Sequence, residues 1–286
     1  ITIKVNGPNE NWVNERLNSI DVDITALKSL VSAVTKLGSS NLKSKGSNNS
    51  FEINYVIKIP KNGSIKLVNK YGNILVPNAE ASTDIDCKYG KVALGKLNGS
   101  TNQISIQYCQ NSSIEYIKTG NIDARYSNLK INDSGNFNLN ANYTDVNLND
   151  GQNIKADCNY GTLKFQKINS LSGSGNYLTF IIGEISSDFS YDTNYSKISI
   201  GTVTEKAGNI TINSGYTDIS IGYVPNYAFD FDISARYSNI KHDNSLEISV
   251  SEVKSNSKRI AGYYKKKGQN KININSNYGN ISLTKN

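Results

Sequence analysis

Apolar and polar residues alternate strictly along much of this chain, in short runs separated by two-residue interruptions. In one such run Phe137, Leu139 and Ala141 are separated by asparagines and lead to Tyr143. A period of two residues is typical of a β-strand with one buried face. After the Thr-Asp pair that follows Tyr143, the alternation resumes at Val146 with its register shifted by one. This shift predicts a bend, after which the next strand again points its apolar side chains inward.

The same pattern recurs about ten times, and a tyrosine marks each copy. Most copies read Tyr, then Gly, Ser or Thr, then any residue, then Ile, Val or Leu; Tyr177 opens a variant and Tyr108 a degenerate copy. The matching copies open at Tyr71, Tyr89, Tyr126, Tyr143, Tyr160, Tyr195, Tyr216, Tyr237 and Tyr278. Consecutive copies lie 17 to 21 residues apart, except for a last interval of 41 residues. Two strands per copy predict an all-β chain, a single-stranded parallel β-helix or β-solenoid of about 10–11 coils.

The tyrosine rings are expected to point into this solenoid. The residue two positions before the tyrosine is usually small, as at Ala124, Ala141 and Ser214. A small neighbour leaves room for a ring in a narrow core, with the hydroxyl bonded to backbone near the bend. Inward rings would also remove any stacking platform for bases, so we expect no nucleic-acid partner.

The two ends of the chain differ from the repeats. Residues 1–60 lack the tyrosine motif and are expected to form an N-terminal capping region continuous with the solenoid at residues 61–286, because open coil ends need covering. Within the cap the pattern predicts a strand at 1–5, a short helix within 9–20, strands at 22–27 and 30–37, and a flexible loop at 38–50. A second, irregular loop is predicted at 251–270, before the final coil.

Composition narrows the functional classes only slightly. The net formal charge is +7, from 31 basic and 24 acidic residues. The lysines are scattered, and three at positions 265–267 form the densest run, so the charge indicates a solvated surface rather than a polybasic site. No stretch approaches the ~20 apolar residues of a membrane-spanning helix, and we expect no transmembrane segment. The chain contains no Met, and the removal of an N-terminal export signal or lipid anchor stays open.

The cysteines predict neither a disulfide framework nor a zinc site. There are three, Cys87, Cys109 and Cys158, an odd number at wide spacing. Cys87 and Cys158 occupy the same small inward position four coils apart, about 19 Å at ~4.8 Å per coil, which is too far for a bridge. We therefore expect buried free thiols.

Few residues suggest catalytic chemistry. His242 is the single histidine, and its parity places it on or near the inner face, where a structural role is expected. Asp145 and Asp218 sit at equivalent corners about 19 Å apart, too far for an acid/base pair, so they are expected to accept turn hydrogen bonds. We predict no catalytic, metal or cofactor site and no cofactor.

The outward residues just before the tyrosines are expected to form a polar ladder on a flat sheet. Such a face suits an extended glycan or another protein, or else it is a plain solvated surface. The residues are Lys70, Lys88, Arg125, Asn142, Asn159, Asn176, Asn194, Arg236 and Asn277.

The opening segment PKNGSIKLVNKYGNILV and the closing segment KININSNYGNISL, with the repeated Tyr-Gly-Asn-Ile type coils between them, resemble the adhesin domain family of bacterial envelope proteins. That family has no established function and is related to the head regions of auto-transporter adhesins. The resemblance covers most of the chain and brings no catalytic motif. It implies a right-handed β-helix and an exported protein that is periplasmic, outer-membrane-associated or extracellular.

Two functional hypotheses follow. The first is a non-enzymatic envelope or surface protein, an adhesin-like binding or structural module whose partner is a glycan or a protein. The alternative is a carbohydrate-active β-helix enzyme acting on envelope or host polysaccharide, which requires carboxylates gathered in a groove.

Overall fold

The computed structural model describes residues 1–38 and 48–286. The chain divides into two compact units, Ile1–Pro60 and Lys61–Asn286. Most of the loop predicted at residues 38–50 lies outside the described residues.

The first unit contains one short helix and two antiparallel strand pairs. Its elements are β1 (Thr2–Asn6), α1 (Glu10–Asn18), β2 (Ile20–Ala26), β3 (Val31–Leu37) and β4 (Ser50–Asn54). β1 pairs with β4, and β2 pairs with β3. The helix begins after Asn9, whose side chain caps it by accepting a hydrogen bond from the Trp12 backbone N–H at 3.1 Å. The predicted order of strand, helix and two strands is confirmed, and Ile20 is the one buried apolar residue in the described part of this unit.

The second unit is a β-solenoid with mostly parallel strands, which confirms the predicted fold class. It has about nine turns, against the 10–11 coils predicted. Its first strands are β5 (Ile65–Lys70), β6 (Ile74–Ala79), β7 (Thr83–Lys88), β8 (Val92–Leu97), β9 (Asn102–Gln107), β10 (Ser112–Arg125), β11 (Asn128–Asn142) and β12 (Asp145–Ile185). They are followed by β13 (Phe189–Asn194), β14 (Lys197–Val203), β15 (Ile210–Gly215), β16 (Asp218–Tyr223), β17 (Phe229–Arg236) and β18 (Ile240–His242). The last four are β19 (Glu247–Lys254), β20 (Ser257–Tyr264), β21 (Asn270–Asn277) and β22 (Ile281–Lys285).

Equivalent residues of successive turns lie side by side, so the sequence period becomes the strand register. Between β11 and β12, Leu139 pairs with Ala156 and Ala141 pairs with Cys158, 17 residues apart in each case. These inward residues are at most 1% exposed. Because each coil buries only one row per strand, the apolar core forms only when neighbouring coils stack.

The last turns do not stack in sequence order. β21 pairs in parallel with β15 on one side and with β17 on the other. β22 lies in the same way between β16 and β18. The C-terminal coil is therefore inserted between two coils that precede it in the sequence, and the coil of β17 and β18 lies beyond it.

The prediction of an irregular loop at residues 251–270 is wrong for most of that segment. β19 and β20 form an antiparallel hairpin, and β20 also pairs antiparallel with β17. The hairpin covers the strand edge that the outermost coil would otherwise expose. Because it covers an edge and does not surround the core, β19 has no buried residue and lacks the alternation that marks the other strands.

Candidate functional site

Eleven stacked tyrosines form the most regular surface feature of the solenoid, and we call them the tyrosine ladder. In spatial order they are Tyr71, Tyr89, Tyr108, Tyr126, Tyr143, Tyr160, Tyr177, Tyr195, Tyr216, Tyr278 and Tyr237. Their side chains are 41% to 71% exposed. The prediction that these rings point inward is wrong.

The backbone explains the outward direction. Every ladder tyrosine has a positive φ, between 50° and 66°, which is the left-handed conformation. That conformation breaks the strand alternation at the corner, so the residue that parity assigns to the core faces solvent instead. At Gly175, one of the small residues two positions before a ladder tyrosine, the coils approach closely: an added Cβ would lie 1.8 Å from the carbonyl oxygen of Cys158.

Ring stacking offsets a large part of the strain of this conformation. A non-glycine residue in the left-handed region costs roughly 1–2 kcal/mol. Neighbouring rings have centroids 4.5 to 5.1 Å apart and planes within 13° of parallel, and such a pair stabilises by about 0.5–1.5 kcal/mol. The backbone ladder also continues through the corner, as where the Tyr143 N–H donates to the Asn159 carbonyl at 3.0 Å.

Stacking decides which part of each ring a ligand can reach. Inside the ladder both faces of a ring are covered by its neighbours, so ring edges and hydroxyls are what solvent sees. Burial raises the pKa of Tyr143, and the neighbouring Tyr160 raises it further. The two end rings each have a cation near one face: Lys70 Nζ is 5.0 Å from the centroid of Tyr71, and Arg236 Cζ is 5.3 Å from that of Tyr237. The tyrosine ladder therefore offers nucleic-acid bases no continuous stacking surface. The reason differs from the one predicted, because the rings point outward and cover one another.

Next to the ladder lies a polar sheet face, formed by the outward residues of the strand that precedes each tyrosine; we call it the polar face. Its first column consists of the residue directly before each tyrosine. This column contains every residue that the sequence predicted for an outward-facing polar ladder. Four asparagines in it bond from turn to turn. Asn159 Nδ2 donates to Asn142 Oδ1 at 3.3 Å, Asn176 N–H donates to Asn159 Oδ1 at 3.0 Å, and Asn194 N–H donates to Asn176 Oδ1 at 3.1 Å. In spatial order the column is Lys70, Lys88, Gln107, Arg125, Asn142, Asn159, Asn176, Asn194, Gly215, Asn277 and Arg236.

The second column, three residues before each tyrosine, carries carboxylates on alternate turns. Its order is Val68, Asp86, Ser105, Asp123, Asn140, Asp157, Ser174, Asp192, Asn213, Asn275 and Ser234. Like charges directly opposite each other on neighbouring strands are destabilising. The neutral residues keep the carboxylates about 9.6 Å apart, two rises of ~4.8 Å.

A long groove of about 730 Å³ crosses the polar face obliquely. It starts beside Asp84, five residues before a ladder tyrosine, follows the second column, and ends beside the first-column residues Asn159, Asn176 and Asn194. Between the turn of Asp84 and the turn of Asp192 it covers six rises, about 29 Å. Its lining is almost entirely Asp, Asn, Gln and Ser side chains over the backbone of the inward residues. All of the lining residues lie in the described part of the chain, and they include no Lys or Arg.

Most groove carboxylates are already paired by cations just outside the lining. Asp84 lies 2.9 Å from Lys66, and Asp123 accepts two hydrogen bonds from Arg125, at 2.9 and 3.0 Å. Asp157 is 3.9 Å from Lys155. These pairs are exposed and add little stability each, but they leave the groove close to electrically neutral.

The residues considered for catalysis are not brought together. Asp145 Oδ1 accepts from the Thr162 N–H at 2.8 Å, and Asp218 Oδ1 accepts from the Asn280 N–H at 2.8 Å. Both are therefore corner hydrogen-bond acceptors, as predicted. His242 is half-buried at the end of β18, with Nδ1 3.0 Å from the Asp243 carbonyl oxygen. Nowhere in residues 1–38 and 48–286 do three or more His, Cys, Asp or Glu side chains form a cluster suited to a metal.

The three cysteines are buried free thiols, as predicted. Burial raises the pKa of Cys158 to about 12, and burial together with a smaller effect of Cys109 raises the pKa of Cys87 to about 12. Cys109 Sγ donates to the Cys87 carbonyl oxygen at 3.2 Å. The sequence did not indicate this contact, because Cys109 follows a corner tyrosine and Cys87 precedes one.

Within the described residues, no helix has both the length and the apolar character required to cross a bilayer. No protein-family model, no curated protein and no solved structure matches this chain.

Proposed function

We propose that this chain is a non-enzymatic binding module of a bacterial envelope or surface, adhesin-like in architecture, that holds an extended polymer along its polar face. The observation that carries the proposal is the groove of about 730 Å³, which is lined at every turn by Asp, Asn, Gln or Ser side chains. A periodic surface of this kind matches a ligand that is itself periodic. The resemblance to envelope adhesin domains supports the assignment to an exported surface protein.

The groove is better suited to binding than to hydrolysis. Asp123 and Asp157 are separated by two rises, about 9.6 Å, close to the spacing of the two carboxyls in inverting glycosidases. Catalysis by such a pair needs two carboxyls in different environments, one that donates a proton and one that accepts it. Here Asp123 and Asp157 occupy equivalent positions in one column, and each has a cation two residues away in its own strand. Carboxylates that recur in this way favour repeated binding contacts.

The proposal is tested with an array of bacterial and host polysaccharides and matrix proteins, probed with the labelled full chain. The matched variants are Asn140→Ala on the polar face and Asn147→Ala on the strand that follows the tyrosine; both asparagines are exposed. We expect saturable binding to one class of polymer, weakened at least tenfold by Asn140→Ala and unchanged by Asn147→Ala. Release of soluble fragments from any polymer would support the carbohydrate-active enzyme instead. The absence of binding to every polymer and protein would overturn the binding function.

A further inference from the structure

The geometry points to an uncharged linear polysaccharide as the ligand of the groove, lying across successive turns of the solenoid. This inference rests on the proposed binding function and specifies its ligand. Its basis is the shape of the groove, the state of the backbone under it, the balance of charge along it and the chemistry of its side chains.

The shape favours a polymer over a small molecule. Binding sites for small molecules are usually enclosed and mostly apolar. This groove is instead an open channel about 29 Å long, with Asp84 at one end and Asp192 at the other. An extended chain running along it would meet Asp, Asn, Gln or Ser side chains at every turn.

The backbone under the groove disfavours an extended peptide. A peptide usually joins a sheet by pairing with a free strand edge. The strands that form the groove floor are paired on both sides, as β9 is with β7 and β10, and β11 with β10 and β12. Their backbone groups are therefore used, and only side chains are left to bind a ligand.

The charge of the groove disfavours both nucleic acid and a cationic polymer. A phosphate backbone binds through several Lys or Arg contacts, and the lining contains neither residue. A polycation would need free carboxylates, but Asp84, Asp123 and Asp157 already have lysine or arginine partners. An uncharged ligand loses the least free energy of hydration on entering such a groove.

Hydroxyl groups complement the lining. A sugar hydroxyl donates and accepts, and so do the amide of Asn140 and the hydroxyls of Ser105 and Ser174. These three side chains occupy alternate turns of the second column, and the carboxylates of Asp123 and Asp157 on the turns between them only accept. The hydroxyl edge of the tyrosine ladder borders the first column and extends this surface. The covered ring faces leave hydrogen bonds, and not stacking on aromatic planes, as the main contacts.

The inference is tested by calorimetry on the full chain with linear oligosaccharides of increasing length. The uncharged probes are glucan and N-acetylglucosamine oligomers, and the charged probes are oligogalacturonate and deacetylated glucosamine oligomers. We expect an uncharged series to bind, with affinity rising with length until the groove is filled. The dissociation constant should change less than twofold between 50 and 500 mM salt, because no counterions are released.

Asn140→Trp locates the site, because a large side chain at this exposed position would fill the groove without entering the core. We expect it to weaken binding at least tenfold, whereas Asn147→Trp on the neighbouring wall should not. Thermal unfolding checks that both variants fold.

If a charged oligomer or a protein binds instead, and Asn140→Trp removes that binding, the ligand class is wrong while the binding function stands. If uncharged oligomers bind and Asn140→Trp has no effect, the groove is not their site. If nothing binds, the proposed function itself fails.

Discussion

Pairs of engineered cysteines can test whether the C-terminal coil lies between two earlier coils. Ser214 Oγ donates to Ser276 Oγ at 2.9 Å, although the two residues are 62 positions apart. Both face inward at equivalent places in β15 and β21, and the register continues from Ser276 to Ala235 in β17. Neighbouring strands are ~4.8 Å apart, close enough for a disulfide between residues 214 and 276. Residues 214 and 235 are two rises apart, about 9.6 Å, which is too far.

The Ser214→Cys/Ser276→Cys pair should form a disulfide readily and stabilise the fold. Closing a loop of 62 residues reduces the entropy of the unfolded chain by an amount worth about 4 kcal/mol. The native Cys87, Cys109 and Cys158 are replaced by Ala first, so that only the new pair can react. Mass mapping of the oxidised protein identifies the bond, and urea unfolding with and without reductant gives its contribution to the free energy of unfolding.

The matched control is Ser214→Cys/Ala235→Cys in the same background. Stacking in sequence order would place residues 214 and 235 in adjacent strands and residue 276 beyond them. Bond formation in the control pair, with none in the Ser214→Cys/Ser276→Cys pair, would refute the inserted coil. If the disulfide between residues 214 and 276 forms but stabilises the fold by far less than ~1 kcal/mol, the assumption that it forms without strain is wrong.

Three further predictions follow from the core, the thiols and the ladder. A Cβ added at Gly95 would lie 1.2 Å from the Pro77 carbonyl oxygen, so Gly95→Ala should lower the free energy of unfolding by on the order of 3 kcal/mol; a loss below ~0.5 kcal/mol in urea unfolding would contradict this. Burial raises the pKa of Cys158 from 9.0 to about 12, so the contribution of its neutral thiol to stability is complete below pH 9.0 and is lost as the pH rises towards 12. The free energy of unfolding of Cys158→Ala should therefore fall less steeply with pH over this range, and equal slopes for the two proteins would contradict the prediction. At Tyr143, φ is 51°, so Tyr143→Gly should destabilise by about 1 kcal/mol less than Tyr143→Ala, which loses the stacking and keeps the left-handed strain; the reverse order in thermal unfolding would show that strain does not matter there.

Local patterns were sufficient for the strands and the core. The alternation from Phe137 to Ala141 places these residues on the buried face. Successive side chains of a strand point to opposite faces, and the apolar face is buried away from water. The period of 17 residues then pairs Ala141 with Cys158 one turn away. The same parity placed the outward residues of the first column correctly, since an outward residue of one coil must lie beside the outward residues of the next.

At the tyrosines, the alternation of inward and outward residues predicts the wrong direction for the side chain. Tyr143 has the inward parity of Ala141, yet its backbone is left-handed and its ring is half-exposed. No single copy of the motif contains the reason, because the energy that holds the ring outside comes from the rings of neighbouring turns. The partners of a stack become neighbours only when the coils are assembled.

The sequence by itself determined the β-solenoid class, the inward and outward rows, the burial of the thiols and the corner role of Asp145 and Asp218, because each depends on residues within one or two periods. Only the tertiary structure decided the order of the last coils, the hairpin at β19 and β20, and the groove along the polar face. The sequence period is the same whether β21 follows β17 or lies between β15 and β17, since both neighbours offer it the same hydrogen bonds and the same apolar surface. The order is visible only in the assembled stack, where β21 pairs with β15 on one side and with β17 on the other.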